Sequence, residues 1–73
     1  MKADEFRAVR KRLGLSRDEI AEVLGLSGYN AVSNIELGLR NPSRLAQMLL
    51  RALDSLPAKQ AKSFMDLLRR HKA

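Results

Sequence analysis

A chain of 73 residues can bury only one modest core, so residues 1–73 are expected to form a single domain. The absence of cysteine excludes disulfides and thiolate metal sites, and the one histidine, His71, cannot form a metal cluster alone. A formal net charge of +6 favours a polyanionic partner, of which nucleic acid is the commonest. No apolar run approaches the roughly 20 residues that span a bilayer. We therefore expect a cytoplasmic protein with no membrane partner.

Two short helices are predicted before residue 25. Residues 3–13 carry apolar side chains at helical spacing, namely Phe6, Val9 and Leu13. Gly14 ends this helix as a C-cap glycine would. Ser16 is a good N-cap, and Glu19 three residues later completes a capping box. The second helix is therefore expected over about 17–24, with a buried face of Ile20, Ala21 and Leu24.

The third helix is expected to begin near Tyr29 or Asn30 and to end at Gly38. Val32 and Ile35 lie three residues apart and point inward. The residues on the opposite side then face outward: Asn30, Ser33, Asn34 and Leu37.

Two longer helices complete the chain. Asn41 or Ser43 caps the fourth, whose helical periodicity predicts a buried stripe of Leu45, Met48, Leu49, Ala52 and Leu53. The fifth runs over about 57–70, with an apolar face of Ala61, Phe64, Met65 and Leu68. No alternating run typical of strands occurs. The predicted fold class is all-α, a compact bundle of five short helices.

Helices two and three have the spacing of a helix-turn-helix over about 17–37. Helices that cross closely need a small residue where their axes approach, and Ala21 supplies it. Four residues later Gly25 supplies a backbone that tolerates positive φ. The remaining helices, about 43–71, are expected to complete the core and to provide a surface for dimerisation.

Residues 3–54 resemble the Cro and cI-repressor (XRE) class of helix-turn-helix regulators, whose domain is the lambda-repressor-like DNA-binding domain. The matching text is RAVRKRLGLSRDEIAEVLGLS, followed by AVSNIELGLRNPS. The resemblance implies that the third helix lies in the major groove of double-stranded DNA and that a homodimer binds a near-palindromic operator.

The turn departs from that class by one residue. The class usually has six residues from the turn glycine to the inward valine or isoleucine, whereas Gly25 to Val32 spans seven. Gly28 is the natural place for the extra residue, because glycine adopts irregular backbone angles most easily. The resemblance therefore does not tell which bases Gly28 and Tyr29 would contact.

Four side chains are candidates for contacts to base edges: Asn34, Ser33, Asn30 and Tyr29. The Asn34 amide both donates and accepts, which suits adenine in the major groove. The single hydroxyl of Ser33 specifies a base less well. Asn30 either contacts a base or caps helix three, and Tyr29 either contacts DNA or covers the turn as a local apolar lid.

The resemblance implies phosphate contacts at two clamps. Ser16 and Arg17 start helix two, where free backbone N–H groups favour a phosphate. The second clamp is the exit loop after helix three, with Arg40, Asn41 and Arg44. The alternative for each arginine is a solvated surface charge.

Other residues are expected to have structural roles, either from the resemblance or from the side of the helix on which they lie. Arg10 and Glu36 match positions that form an internal ion pair in the class, and Lys11 and Arg12 are expected to be a solvated face. Leucines off the predicted stripes, together with neighbouring apolar residues, form the expected dimer surface: Leu50, Phe64, Met65 and Leu67.

These features favour a dimeric repressor of its own operon, of prokaryotic or phage origin and associated with the nucleoid. No cofactor, metal or catalytic residue is expected, because no nucleophile–base pair or metal cluster can be assembled. One alternative is an antitoxin that binds a toxin through the basic fifth helix, and another is a phage or anti-CRISPR-associated autorepressor. RNA binding is disfavoured by the scarcity of aromatic residues.

Overall fold

Five α-helices follow one another along residues 1–71, the part of the chain that the computed structural model describes, and no strand occurs among them. The prediction of an all-α, five-helix fold is confirmed. The helices are α1 (Ala3–Arg12), α2 (Arg17–Leu24), α3 (Tyr29–Glu36), α4 (Arg44–Ser55) and α5 (Ala58–Arg70).

Side-chain caps set two helix starts, those of α2 and α4, where the sequence predicts them. Ser16 accepts a hydrogen bond from the Glu19 backbone N–H at 3.1 Å, and the Glu19 carboxylate accepts one from the Ser16 N–H at 2.9 Å. This reciprocal pair is the predicted capping box. Ser43, and not Asn41, caps α4, because its hydroxyl accepts from the Ala46 N–H at 3.1 Å.

The core forms where α2 packs against both α3 and α5, while α1 packs against α3 and α4. Phe6, Ile20 and Val32 are completely buried at this centre. The predicted inward direction of Val32 and Ile35 is confirmed. In α2 the third buried residue is Val23, and Leu24, predicted to be buried, is only half-buried.

The predicted buried stripe of α4 is wrong at Leu45, Met48 and Ala52, all of which are exposed. Leu45 is 64% exposed and Met48 is 61% exposed. The face that meets the core consists instead of Ala46, Leu50 and Leu53. Since each residue turns a helix by about 100°, this face lies nearly opposite Leu45 and Met48. The prediction that Leu50 belongs to a dimer surface is therefore wrong, because Leu50 is fully buried within one molecule.

Helix α5 buries Ala61 and Met65 against the rest of the protein. Met65 is thus a core residue, and its predicted place in a dimer surface is also wrong. Phe64 is half-buried and Leu67 is exposed, so these two side chains remain accessible.

Within residues 1–71, no helix has the length and apolar character needed to cross a membrane.

Candidate nucleic-acid interface

The corner between α2 and α3 begins with a left-handed glycine. Gly25 has φ 68° and ψ 29°, and Ala21, one turn earlier, is buried. The Leu26 N–H donates to the Ala21 carbonyl at 2.8 Å and the Gly25 N–H donates to the Glu22 carbonyl at 3.4 Å, which closes the end of α2. The roles predicted for Ala21 and Gly25 match this geometry.

Gly28, where the extra residue of the turn is expected, adopts an irregular backbone conformation. Its φ of 147° and ψ of −162° lie in a region that is essentially restricted to glycine. The Gly28 carbonyl accepts hydrogen bonds from the N–H groups of Ala31 and Val32, at 3.1 and 3.4 Å, and so opens α3. Helix α3 therefore has a glycine N-cap. Asn30 lies inside the first turn, so the alternative in which Asn30 caps the helix is wrong.

Helix α3 presents a polar face to solvent. Asn30 and Asn34 are exposed and Ser33 is half-exposed, whereas Val32 and Ile35 are buried on the other side. Positions 30, 33, 34 and 37 fall within an arc of about 100° around the helix. Three of the four predicted base-contact residues are thus brought together on one accessible face, which ends at the exposed Leu37.

Tyr29, the fourth predicted base-contact residue, stands at the start of α3 and is 49% exposed. Arg17 donates from Nη1 to the Tyr29 hydroxyl at 3.0 Å, and its guanidinium carbon lies 5.5 Å from the ring centroid. Hydrogen bonds to Glu36 and then to Tyr29 raise the pKa of Arg17 above its ordinary value. Arg17 therefore joins the first residue of α2 to the first residue of α3.

Glu36, the last residue of α3, is buried among arginines. Its carboxylate accepts from Arg10 Nε at 2.6 Å and from Arg10 Nη2 at 3.3 Å, which confirms the predicted internal pair. Arg7 Nε and Arg17 Nε each donate to the same oxygen, Oε1, at 3.2 Å. Burial alone would raise the pKa of Glu36, but the hydrogen bonds from Arg10, Arg17 and Arg7 outweigh it, so the pKa is lowered.

Arg7 also belongs to this cluster around Glu36, although it was not among the residues predicted from the sequence. It lies three residues before Arg10, and therefore on the same face of α1. That spacing is the signal that could have included it. Arg12 also differs from expectation, because it forms two hydrogen bonds to Asp54, at 3.0 and 2.8 Å, and is not simply solvated.

The predicted phosphate contacts occupy two separate places. Ser16 and Arg17 start α2, and Arg17 is already engaged by Glu36 and Tyr29. The exit-loop group is exposed and consists of Arg40, Asn41 and Arg44. The Arg40 N–H donates to the Asn34 carbonyl at 3.2 Å, so this loop is attached to the end of α3.

Comparison with known proteins places this chain in a family. The helix-turn-helix family matches residues 6–56, well over half of the chain. The chain belongs to that family, in the XRE class of Cro- and cI-like DNA-binding transcriptional regulators. No curated protein and no solved structure matched the chain.

Proposed function

We propose that this protein is a sequence-specific repressor that inserts α3 into the major groove of duplex DNA. The observation that carries the proposal is the exposed polar face of α3, whose Asn30, Ser33 and Asn34 project away from the buried Val32 and Ile35. An α-helix fits the major groove, and amide side chains can read adenine there through paired hydrogen bonds.

The basic residues supply the sequence-independent part of this binding. Arg40, Asn41 and Arg44 lie in and after the exit loop of α3, where guanidinium and amide groups can contact phosphates. Ser16 can also contact a phosphate. Its hydroxyl oxygen accepts a hydrogen bond in the capping box, and its own proton remains available for donation. Phosphate contacts of this kind orient α3, whereas Asn34 selects the sequence.

A pair of molecules is needed for a useful site, because one eight-residue recognition helix contacts few bases. We infer a homodimer on a near-palindromic operator. The accessible apolar side chains support two surfaces for it. One is the outer face of α4, with Leu45 and Met48, and the other is the outer face of α5, with Phe64 and Leu67.

Selection of bound duplexes from a random DNA pool tests this function directly. The expected result is a recovered near-palindrome with two half-sites. Recovery of no preferred sequence would contradict sequence-specific binding. Repression is then tested by placing the recovered site across a promoter and measuring transcription of a reporter, which should fall as the protein concentration rises.

Asn34→Ala tests the base-reading role within the selected site. We expect binding to the selected duplex to weaken by about 1–3 kcal/mol, the value of one good bidentate contact, with little change on random-sequence DNA. Fluorescence anisotropy on both duplexes measures this difference. Gln60→Ala is the matched control, because Gln60 is an exposed amide on α5. Equal losses on both duplexes would remove Asn34 from the base-reading set.

A further inference from the structure

We propose that Arg7 and Arg17, held together by the buried Glu36, form an anion site that takes one phosphate of the DNA backbone. The inference rests on the proposed binding of duplex DNA and adds Arg7, on α1, to the residues that contact it. It also assigns Arg7 and Arg17 to a single phosphate, and not to two separate ones.

The two guanidinium groups converge on one atom. Arg7 Nε and Arg17 Nε both donate to Glu36 Oε1, each at 3.2 Å, although the residues come from different helices. Arg7 is fixed further by a 3.4 Å hydrogen bond from Nη2 to the Glu36 carbonyl oxygen. Arg17 is fixed further by its bond to the Tyr29 hydroxyl. Both side chains are therefore positioned before any ligand arrives.

The cluster of Arg7, Arg10, Arg17 and Glu36 carries a net positive charge. Within residues 1–71, Glu36 is the only carboxylate that forms an ion pair with Arg7, Arg10 or Arg17. Three positive charges thus surround one negative charge. Like charges held this close repel one another, and a further anion relieves that repulsion.

The excess charge is accessible on two of the three arginines. The side chains of Arg7 and Arg17 are 40% and 35% exposed, whereas that of Arg10 is nearly buried. A guanidinium has five N–H groups, and each exposed arginine donates two of them within the described chain. Several N–H donors on each therefore remain for an incoming oxygen anion. The Tyr29 hydroxyl, which accepts from Arg17, keeps its proton as a further donor.

The position of the site favours a phosphate of DNA over a free phosphate ion. Arg17 contacts Tyr29, the first residue of the helix whose polar face meets the groove. The phosphates that border a major groove lie at the edges of such a face. Arg7 and Arg17 would then bind the strand that passes along the edge of α3 on which Tyr29 and Glu36 lie.

The experiment measures how DNA affinity depends on salt for the full chain and a random-sequence duplex. The logarithm of affinity falls with the logarithm of salt concentration, with a slope of about −0.9 for each neutralised phosphate. We expect Arg7→Gln and Arg17→Gln each to reduce the steepness. Because the two residues share one phosphate, the double variant should lose about 0.9 in total and not about 1.8.

Arg51→Gln is the matched control, because it removes the same charge at a different place. Arg51 pairs with Glu5 at 3.7 Å, and position 5 is about 200° around α1 from Arg7, on its opposite side. The slope should be unchanged in this variant. Glu36 retains both hydrogen bonds from Arg10 in every variant, and circular dichroism checks that each one is folded.

Three results would overturn the assignment. One is an equal change of slope in Arg7→Gln and Arg51→Gln, and another is a loss of about 1.8 in the double variant. The third is a shift of the Arg7 and Arg17 Nε–H resonances with inorganic phosphate at constant ionic strength, with no change in the DNA slope of either variant. Failure of the proposed function itself is distinct, because the wild-type protein would then select no preferred sequence from the random DNA pool, whatever the salt dependence of its binding.

Discussion

A buried carboxylate such as that of Glu36 is costly unless it is paired with a cation and both of its oxygens accept hydrogen bonds. Here Oε2 accepts from Arg10, and Oε1 accepts from three different arginines. The side chain of Glu36 is only 1% exposed, so water cannot replace a donor that is lost. The carboxylate therefore joins three helices, because its partners Arg7 and Arg10 come from α1 and Arg17 from α2.

Replacing Glu36 by glutamine should destabilise the fold by about 3–5 kcal/mol, because Arg10 would be left as a buried charge without its partner. Urea unfolding at neutral pH measures this change. Glu5→Gln is the comparison, since Glu5 belongs to an exposed pair with Arg51, and such pairs contribute at most about 1 kcal/mol. Similar losses in both variants would show that the burial of Glu36 is not what makes it important.

The same variant should change how stability depends on pH. Burial tends to raise the pKa of Glu36, but the arginine hydrogen bonds lower it below the ordinary value of 4.5. Because folding favours the ionised form, the contribution of Glu36 is complete above about pH 4.5 and is lost as the pH falls through the lowered pKa. Unfolding midpoints measured below pH 5 should therefore fall less steeply in Glu36→Gln than in the wild type. Glu19 and Asp54, whose pKa values are also lowered by hydrogen bonds, contribute pH dependence of the same sign.

Gly28 should resist substitution for a purely conformational reason. A Cβ atom added there would meet nothing within 4 Å, yet its φ of 147° is one that L-residues rarely adopt. We expect Gly28→Ala to cost about 1–3 kcal/mol of unfolding free energy. Gly25→Asn should cost less, because Gly25 is in the left-handed helical region that asparagine tolerates. Equal costs in urea unfolding would argue that Gly28 changes its backbone conformation on substitution.

At the residue scale the sequence predicts backbone-dependent features better than side-chain networks. The irregular backbone expected at Gly28 follows from the conformational freedom of glycine alone, and Gly28 has that conformation. Arg17 was expected at a phosphate, but it is held by Glu36 and Tyr29 in the free protein. A long side chain near several partners has many rotamers, and sequence spacing does not select among them.

Helix α4 shows why the periodicity of a single element can mislead. Its segment from Leu45 to Leu53 has apolar residues on nearly every side, so two stripes fit helical spacing almost equally well. The fold selects the stripe containing Leu50, because α1 and α5 pack against that face. Only tertiary contacts decide between the two, and the sequence of α4 alone does not contain them.

The orientation of α4 about its axis predicts different losses of stability for Leu50→Ala and Leu45→Ala. Leu50→Ala should lower the free energy of unfolding by about 2–5 kcal/mol, because it leaves a cavity in the core. Leu45→Ala should stay within about 0.5 kcal/mol of the wild type, because Leu45 is on the exposed side. Urea unfolding of both variants measures the contrast. A larger loss in Leu45→Ala would show that this exposed face is covered in solution.

For the whole molecule, the order and type of the five helices follow from signals that act within a few residues. The Ser16 capping box and the Ser43 cap fix two helix starts, and each is readable from sequence. A surface between two copies would have no such local signal. Two of the four residues expected there, Leu50 and Met65, are core residues, because an apolar side chain looks the same in sequence whether it meets its own chain or another.

The two accessible apolar faces predict different effects on assembly. If the α4 face joins the two copies, Leu45→Gln should abolish cooperative binding to a full palindrome, while Leu67→Gln leaves it intact. The reverse result would assign the interface to α5. Sedimentation with and without the selected duplex measures the stoichiometry, and binding to an isolated half-site is the control. A single copy on the palindrome in the wild type would contradict dimeric binding.

The arginines around Glu36 also decide which end of α3 carries an uncompensated dipole. The aligned peptide groups of a helix place partial negative charge at its C-terminus, and a carboxylate there is unfavourable. Arg7 offsets both charges, since it donates to the Glu36 carboxylate and to the Glu36 backbone carbonyl. At the other end, Gly28 offers no side chain to neutralise the free N–H groups. Helix α3 is therefore polarised, with its positive end at Tyr29.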